Sequence, residues 1–166
     1  LMDATATIEG NSILSTAPGT GAMDGYPAGH GIHVQTSTDV ICRGNQIDGA
    51  QHAGISFLWV LRGQILENTV RATGFGDGGA WGFGDGIQVV GADGEVRVEG
   101  NLLGQHDRCG LLADQSQVWA VDNEIAANEY ALVVQNDGQL LADDNHVQDN
   151  LVDETVAYDD SVLQVF

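Results

Sequence analysis

The sequence predicts an all-β fold, a parallel solenoid of about six 22-residue coils with three short strands in each coil. Three observations predict it. Asparagine recurs with a period of 22 or 23 residues, interrupted by two insertions of 11 or 12 residues. A small residue followed by alternating aliphatic positions recurs in step with it. A helical interpretation fails, because Gly and Asn recur where a helix would break and no 3.6-residue apolar stripe persists.

The asparagine column marks one turn of every coil. Each member ends a short β-prone segment and is followed two residues later by an aliphatic residue, as in Cys42-Arg43-Gly44-Asn45-Gln46-Ile47. Stacked coils bring these side chains into one buried ladder in which each amide bonds the next, since buried polar groups need partners. The column consists of Asn11, Asn45, Asn68, Asn101, Asn123 and Asn145.

The second column opens another strand of the coil with a Gly or Ala, as in Gly31-Ile32-His33-Val34 and Gly86-Ile87-Gln88-Val89. Side chains alternate between the two faces of a strand, so the pattern predicts which of them enter the core. On the strand before each asparagine, the inward positions are Val40, Cys42, Val96, Val98, Val118 and Ala120, and the outward ones are Ile41, Arg97 and Trp119.

The composition limits which classes of partner the protein can bind. The 166 residues suit one domain, 1–166, and contain 24 Asp and Glu against 5 Arg, for a net charge of −19. So few cations exclude nucleic acid and an anionic membrane surface as partners, and no apolar stretch is long enough to insert into a membrane.

Cys42 and Cys109 lie two coils apart and are predicted to be free thiols. The first residue is Leu1 and the last strand is apolar, which predicts a fragment of a longer protein whose open ends stack on further coils or another chain.

From about Ala4 to Phe166, the asparagine turns and the Gly-aliphatic strands resemble the right-handed parallel β-helix repeat of the pectate-lyase-like superfold. The resemblance implies a right-handed solenoid. It also implies an extracellular or cell-surface location, since the superfold is mostly extracytoplasmic and includes polysaccharide lyases, glycoside hydrolases, uronate epimerases, tailspikes and adhesins. We therefore expect a carbohydrate-interacting or adhesin-like module that contacts a polysaccharide or glycan. A structural spacer without a ligand is an alternative function, because the motifs are specific for the fold alone.

The two insertions, at about 14–29 and 73–85, precede the same strand of their coils and predict a wall beside one outer face. The outward residues of that face are His33, Ser56 and Gln88, followed by Leu112 and Val133. The insertions add aromatic platforms on which a sugar ring can stack. The predicted substrate-binding residues are His33, Ser56, Gln88, Trp81 and Tyr26.

The second insertion also predicts a calcium site. Its two Gly-Phe-Gly-Asp-Gly segments place Asp77 and Asp85 in tight turns, where carboxylates supply the hard oxygen ligands of Ca²⁺. The segments are weakly similar to glycine-rich calcium-binding repeats. The structural alternative is a glycine loop pinned by two aromatic residues against the solenoid.

A cluster of ionisable residues predicts an enzymatic alternative, a calcium-assisted polysaccharide lyase or uronate epimerase. Counting back from each strand places its members on the same corner of neighbouring coils, where Arg neutralises a uronate carboxylate and His or Asp moves the C5 proton. Part of it, His106-Asp107, is similar to half of the Asp-Pro-His-Asp motif of mannuronan epimerases. The alternative is a set of solvated turn residues that pair with one another. The predicted catalytic residues are His52, Asp85, His106, Asp107 and Arg108.

Overall fold

A computed structural model describes residues 4–16, 29–74 and 84–166. Its regular elements are nineteen parallel-paired strands, and no described residue is helical. The strands form three parallel sheets, and every hydrogen-bonded neighbour in a sheet comes from the next coil of the chain. The prediction of an all-β parallel fold is therefore confirmed.

Each coil contributes one strand to each sheet, in the order first, second, third. The first sheet holds β1 (Thr5–Glu9), β4 (Asp39–Arg43), β7 (Arg62–Leu66), β10 (Val96–Glu99), β13 (Gln117–Val121), β16 (Gln139–Asp143) and β19 (Val162–Val165). The second holds β2 (Ser12–Leu14), β5 (Gln46–Asp48), β8 (Thr69–Arg71), β11 (Leu102–Gly104), β14 (Glu124–Ala126) and β17 (His146–Gln148). The third holds β3 (Ile32–Gln35), β6 (Ala53–Leu58), β9 (Asp85–Val90), β12 (Cys109–Asp114), β15 (Tyr130–Gln135) and β18 (Asp153–Ala157).

The core lies between the three sheets and is built from the inward half of each strand. On the first sheet, all six residues predicted to point inward are fully buried or nearly so, and the residues between them are exposed or half-buried. Aliphatic side chains of successive coils stack along the solenoid and fill its interior. Strand alternation thus predicted the core correctly on this sheet.

Hydrogen bonds link the six asparagines between the first and second sheets. The side chain of Asn68 shows the pattern: its Oδ1 accepts from the backbone N and from Nδ2 of Asn45, at 3.0 and 2.9 Å. Its own Nδ2 donates to Oδ1 of Asn101 and to the Cys42 carbonyl, both at 3.0 Å. The same links join Asn11 to Asn45 and continue to Asn145. Each buried turn amide therefore finds its partners in the neighbouring coils.

Cys42 and Cys109 are both free thiols, as predicted, and both are buried. Among the described residues no helix is long and apolar enough to cross a membrane. The two predicted insertions fall mainly on residues 17–28 and 75–83, which are outside the described part of the chain.

Candidate functional site

A groove of about 620 Å³ runs along the outer face of the third sheet, and we call it the third-sheet groove. It crosses β3, β6, β9, β12 and β15, which at one strand spacing per coil is a length of about 19 Å. This is the face beside which the sequence predicted a wall. Its lining residues are His30, His33, Gln35, His52, Ser56, Leu58, Trp59, Gln88, Val90, Arg108, Leu112, Asp114, Gln115 and Gln135.

The floor of the groove is the row of outward residues at the middle of each strand. Backbone pairing aligns His33 with Ser56, Ser56 with Gln88, and Gln88 with Leu112. Gln88 donates from Nε2 to Ser56 Oγ at 2.8 Å, and both side chains are buried, whereas His33 is exposed. The apolar end of the row packs on itself in a small cluster of Leu112, Val133, Cys109 and Tyr130, separate from the main core.

Three of the five predicted substrate-binding residues, His33, Ser56 and Gln88, therefore line one groove. The other two, Tyr26 and Trp81, lie outside the described residues. Their contribution to a ligand site stays a prediction.

Three imidazole rings meet at the strand-start side of the groove. The rings of His30 and His33 stack with centroids 4.6 Å apart, and those of His30 and His52 meet edge to face at 4.4 Å. Burial lowers the pKa of His30 to about 3, with the neighbouring rings adding to the shift, and lowers the pKa of His52 to about 4. Partial desolvation also lowers the pKa of His33, although the residue as a whole is exposed. All three rings are neutral near pH 7, so the cluster offers neutral donors and acceptors.

A buried ion pair lies beside the histidines. Asp85, which is 0% exposed, accepts from Arg108 with both oxygens: Nε to Oδ1 at 2.7 Å and Nη2 to Oδ2 at 2.5 Å. The Cys109 thiol also donates to Asp85 Oδ1, at 3.0 Å, and burial raises the pKa of that thiol. Burial alone lowers the pKa of Arg108, but the hydrogen bonds and charge of Asp85 raise it well above its usual value. Arg108 therefore stays charged, with its charge balanced inside the protein.

The backbone explains why these groups converge. Gly84 donates to the His52 carbonyl at 2.9 Å, and Arg108 donates to the Gly84 carbonyl at 3.1 Å, so His52 and Arg108 occupy the same position two coils apart. Asp85 and Cys109 follow at the next position. Counting back along the sequence predicts that His52, Asp85 and Arg108 share this corner. The structure thus brings His52, Asp85 and Arg108 to one corner, and their catalytic role stays a prediction.

His106 and Asp107 lie elsewhere. His106 is buried in the turn between β11 and β12, where its Nδ1 accepts from the backbone N of Thr73 at 3.3 Å. Its own backbone N donates to Asn128 Oδ1 at 3.0 Å, and Asn128 repeats the bond to Asn150. Asp107 is exposed on the same turn, and neither residue lines the third-sheet groove. The expectation that all five predicted catalytic residues share one cluster is therefore corrected, because His106 serves a second ladder inside the coil.

The second ladder was missed at the sequence level, although a signal for it exists. It occupies the position five residues after each ladder asparagine. Its residue type varies from coil to coil, whereas from Thr73 through His106 and Asn128 each backbone N–H donates to the side chain of the next coil, ending at Asn150. The column reads Thr16, Ala50, Thr73, His106, Asn128 and Asn150.

Of the two predicted calcium ligands, Asp77 lies outside the described residues. Both oxygens of the other, Asp85, accept hydrogen bonds from Arg108 and Cys109. Within residues 4–16, 29–74 and 84–166, no three His, Cys, Asp or Glu side chains are arranged to hold a metal ion. Calcium binding remains a prediction that depends on Asp77.

Trp59 is a lining residue that sequence reasoning did not single out. It follows β6 with a φ of 53°, and the residue is 56% exposed. The ring lies against Gly91, where an added Cβ would come within 2.6 Å of Trp59 Cδ1. A residue without a side chain at position 91 therefore lets the indole rest on the backbone at the rim of the groove. In the sequence, the signal for Trp59 as a groove residue was an apolar aromatic residue in a turn.

The comparisons with known proteins agree with this architecture. The family model for the right-handed beta helix region matches residues 2–159. Neither a curated protein nor a solved structure gives a significant match to the chain.

Proposed function

The chain belongs to the right-handed beta helix family, and from that premise we propose that its third-sheet groove binds a carbohydrate chain. The observation that carries the proposal is the groove itself. It is elongated across five strands and combines an exposed tryptophan at its rim with imidazole, amide and hydroxyl groups along its length. Ligand sites commonly pair apolar lining with a few placed polar groups.

Trp59 is the stacking platform of this proposal. The flat, apolar face of a sugar ring packs on an indole, and an exposed ring held against Gly91 loses little freedom when it does so. The ring therefore contributes contact area at low entropic cost.

The polar rim supplies hydrogen bonds to sugar hydroxyls, which both donate and accept. At the strand ends, Asp114 accepts from Gln135 Nε2 and Asn136 Nδ2, both at 2.9 Å, and these bonds hold the three groups in place. Gln35 and Gln115 add exposed amides with one acceptor and two donors each. Preorganised groups of both kinds along a groove suit a polymer of repeating hydroxylated rings.

The binding module is better supported than the enzymatic alternative. A lyase or epimerase needs Arg108 to neutralise a substrate carboxylate, whereas two of its N–H groups already serve Asp85. The proposal carries with it an extracellular or cell-surface location, where long glycans occur, and an adhesin-like use of the module. A spacer remains the outcome if no carbohydrate binds.

The test compares two tryptophans. Affinity electrophoresis through gels that contain neutral and acidic polysaccharides measures retention of the wild type, Trp59→Ala and Trp119→Ala. We expect Trp59→Ala to weaken binding about tenfold, which corresponds to loss of one stacking contact. Trp119 lies on the outer face of the first sheet and is the matched control, because it removes the same side chain away from the groove.

Two outcomes contradict the proposal. If no polysaccharide retains the wild type, the protein is a spacer under these conditions and the groove has no carbohydrate ligand. If both tryptophan variants lose retention equally while circular dichroism shows intact folding, the ligand binds elsewhere.

A further inference from the structure

The charges that line the third-sheet groove show which carbohydrates it can accept. Apart from the histidines, the ionisable residues among the described lining residues are Arg108 and Asp114. The guanidinium of Arg108 is bound by both oxygens of Asp85, which lies directly beneath it and is fully buried. One positive and one negative charge therefore cancel at the strand-start side of the groove.

The histidines do not add positive charge at neutral pH. Burial lowers the pKa of His30 to about 3 and that of His52 to about 4, and lowers the pKa of His33 as well. Their geometry has the same consequence, because the ring of His30 lies 4.6 Å from that of His33 and 4.4 Å from that of His52, and the three cannot all be charged without strong repulsion. Near pH 7 the cluster is a neutral polar wall.

Asp114 leaves the groove with a surplus negative charge. Its carboxylate is half-buried at the end of β12, on the rim opposite the histidines. Its oxygens accept from neutral amides, those of Gln135 and Asn136, and Arg108 acts on it only as a more distant charge. Arg108 is already balanced by Asp85, so within the described residues the groove keeps one negative charge in excess. A carboxylate in this position accepts hydrogen bonds from sugar hydroxyls and repels a sugar carboxylate.

We infer that the groove selects an uncharged carbohydrate chain and disfavours a uronate polymer, with Asp114 as the residue that discriminates between them. The inference rests on the proposed function. It deepens that function, because it assigns a ligand class to the groove. The net charge of −19 acts in the same direction at long range, and salt screens it.

The test uses pairs of polysaccharides that share a backbone and differ only in charge. Suitable pairs are β-1,4-glucan with its C6-oxidised form, mannan with mannuronan, and methyl-esterified with de-esterified galacturonan. Retention of the wild type is measured for both members of each pair at low and at high salt. We expect the neutral member to bind more tightly, and the difference to shrink as salt rises.

A charge variant assigns the discrimination to the groove. Asp114→Asn keeps the shape and an acceptor but removes the charge, so binding of the acidic member should improve about fivefold. The substitution alters the same rim hydrogen bonds for both members of a pair, so the measured quantity is the ratio of acidic to neutral binding, which should rise about fivefold. Asp143→Asn on the outer face of the first sheet removes the same charge from the protein outside the groove and is the matched control.

The outcomes separate this inference from the proposed function. Acidic members that bind as tightly as neutral ones, or more tightly, overturn the inference and leave carbohydrate binding standing. An equal gain from Asp143→Asn and Asp114→Asn overturns the role of Asp114. If no member of any pair binds, the proposed function fails and the inference fails with it.

Discussion

The outer faces of the first and third sheets are made by the same repeat, yet they hold their charges differently. On the first face, Arg43 and Glu9 pair at 2.6 Å with side chains 47% and 52% exposed. On the third face, the Arg108 and Asp85 side chains are 22% and 0% exposed. A pair in water is screened and contributes little, whereas a desolvated pair fixes its groups and is costly to break. The face that removes its charges from water is also the one that forms the groove.

In the sequence, the two faces differ in where the insertions fall. Both predicted insertions directly precede third-sheet strands, β3 and β9, and none precedes a first-sheet strand. A coil repeat alone produces two equivalent faces. We therefore attribute the asymmetry to what is added between the second and third strands of a coil, where loop residues commonly carry function.

Removal of one cation from each face gives the largest expected difference. Arg108→Ala leaves Asp85 buried without its ion pair and should lower the free energy of unfolding by about 3 kcal/mol. Arg43→Ala leaves an exposed glutamate in water and should cause no measurable loss. Urea denaturation followed by circular dichroism measures both.

A double variant separates the charge from the packing. Arg108→Ala with Asp85→Ala removes both charges, so it should be more stable than Arg108→Ala alone, because no buried carboxylate is left unpaired. Equal losses for Arg108→Ala and Arg43→Ala would contradict the comparison between the two faces.

Acid should lower the free energy of unfolding through His106, which is buried in the turn that leads into β12 of the third sheet. Burial lowers the pKa of His106 from 6.5 to about 3. Above pH 6.5 the ring is neutral in both states. Below pH 6.5 the unfolded chain binds a proton on this residue and the folded protein does not, so the free energy of unfolding falls as the pH falls towards 3. The loss from this residue is about 2 kcal/mol between pH 6.5 and pH 5.

His106→Asn tests this without removal of the second ladder. An asparagine there can accept from the Thr73 N–H as Asn128 accepts from His106, and it does not titrate. We expect the variant to gain about 2 kcal/mol relative to the wild type between pH 7.5 and pH 5 in urea denaturation. His146→Asn, at an exposed histidine of β17, is the control. A constant difference between variant and wild type across this range would refute the role assigned to His106.

The fold was predictable because its signal repeats. Asparagine recurs at one turn, and alternation marked Val40 and Cys42 as core, since every coil obeys the same packing constraint. The columns that join His52 with Arg108 followed from the same counting. The second ladder was not predictable by identity, because the side chains of His106 and Asn128 accept equivalent backbone hydrogen bonds with different chemistry.

The site was predictable only in part. Register placed His33, Ser56 and Gln88 on one face, but register says nothing of how far a side chain is covered, and Ser56 and Gln88 proved to be buried. The stacking of His30 on His33 depends on side-chain torsions that no pattern encodes. Trp59 at the rim depends on a glycine, Gly91, in the neighbouring coil.

The smallest predicted effect lies on the first face, between Arg97 and Trp119. The guanidinium carbon of Arg97 lies 4.7 Å from the centroid of the indole, and its Nε pairs with Glu99 at 2.5 Å. Both residues are partly exposed, so water and salt compete for the cation, and a cation–π contact at such a site contributes about 0.5 kcal/mol. A double-mutant cycle of Arg97→Ala and Trp119→Ala measures the coupling without the lost packing of either residue alone.

The same cycle decides whether the first face is a solvated surface. We expect the coupling to stay near 0.5 kcal/mol, because the partly exposed ring and cation remain in contact with water. A coupling above about 1.5 kcal/mol that is insensitive to salt would mean that Arg97 is desolvated, as Arg108 is on the third face. The distinction between a solvated face and a ligand-binding face would then have to rest on the shape of the groove alone.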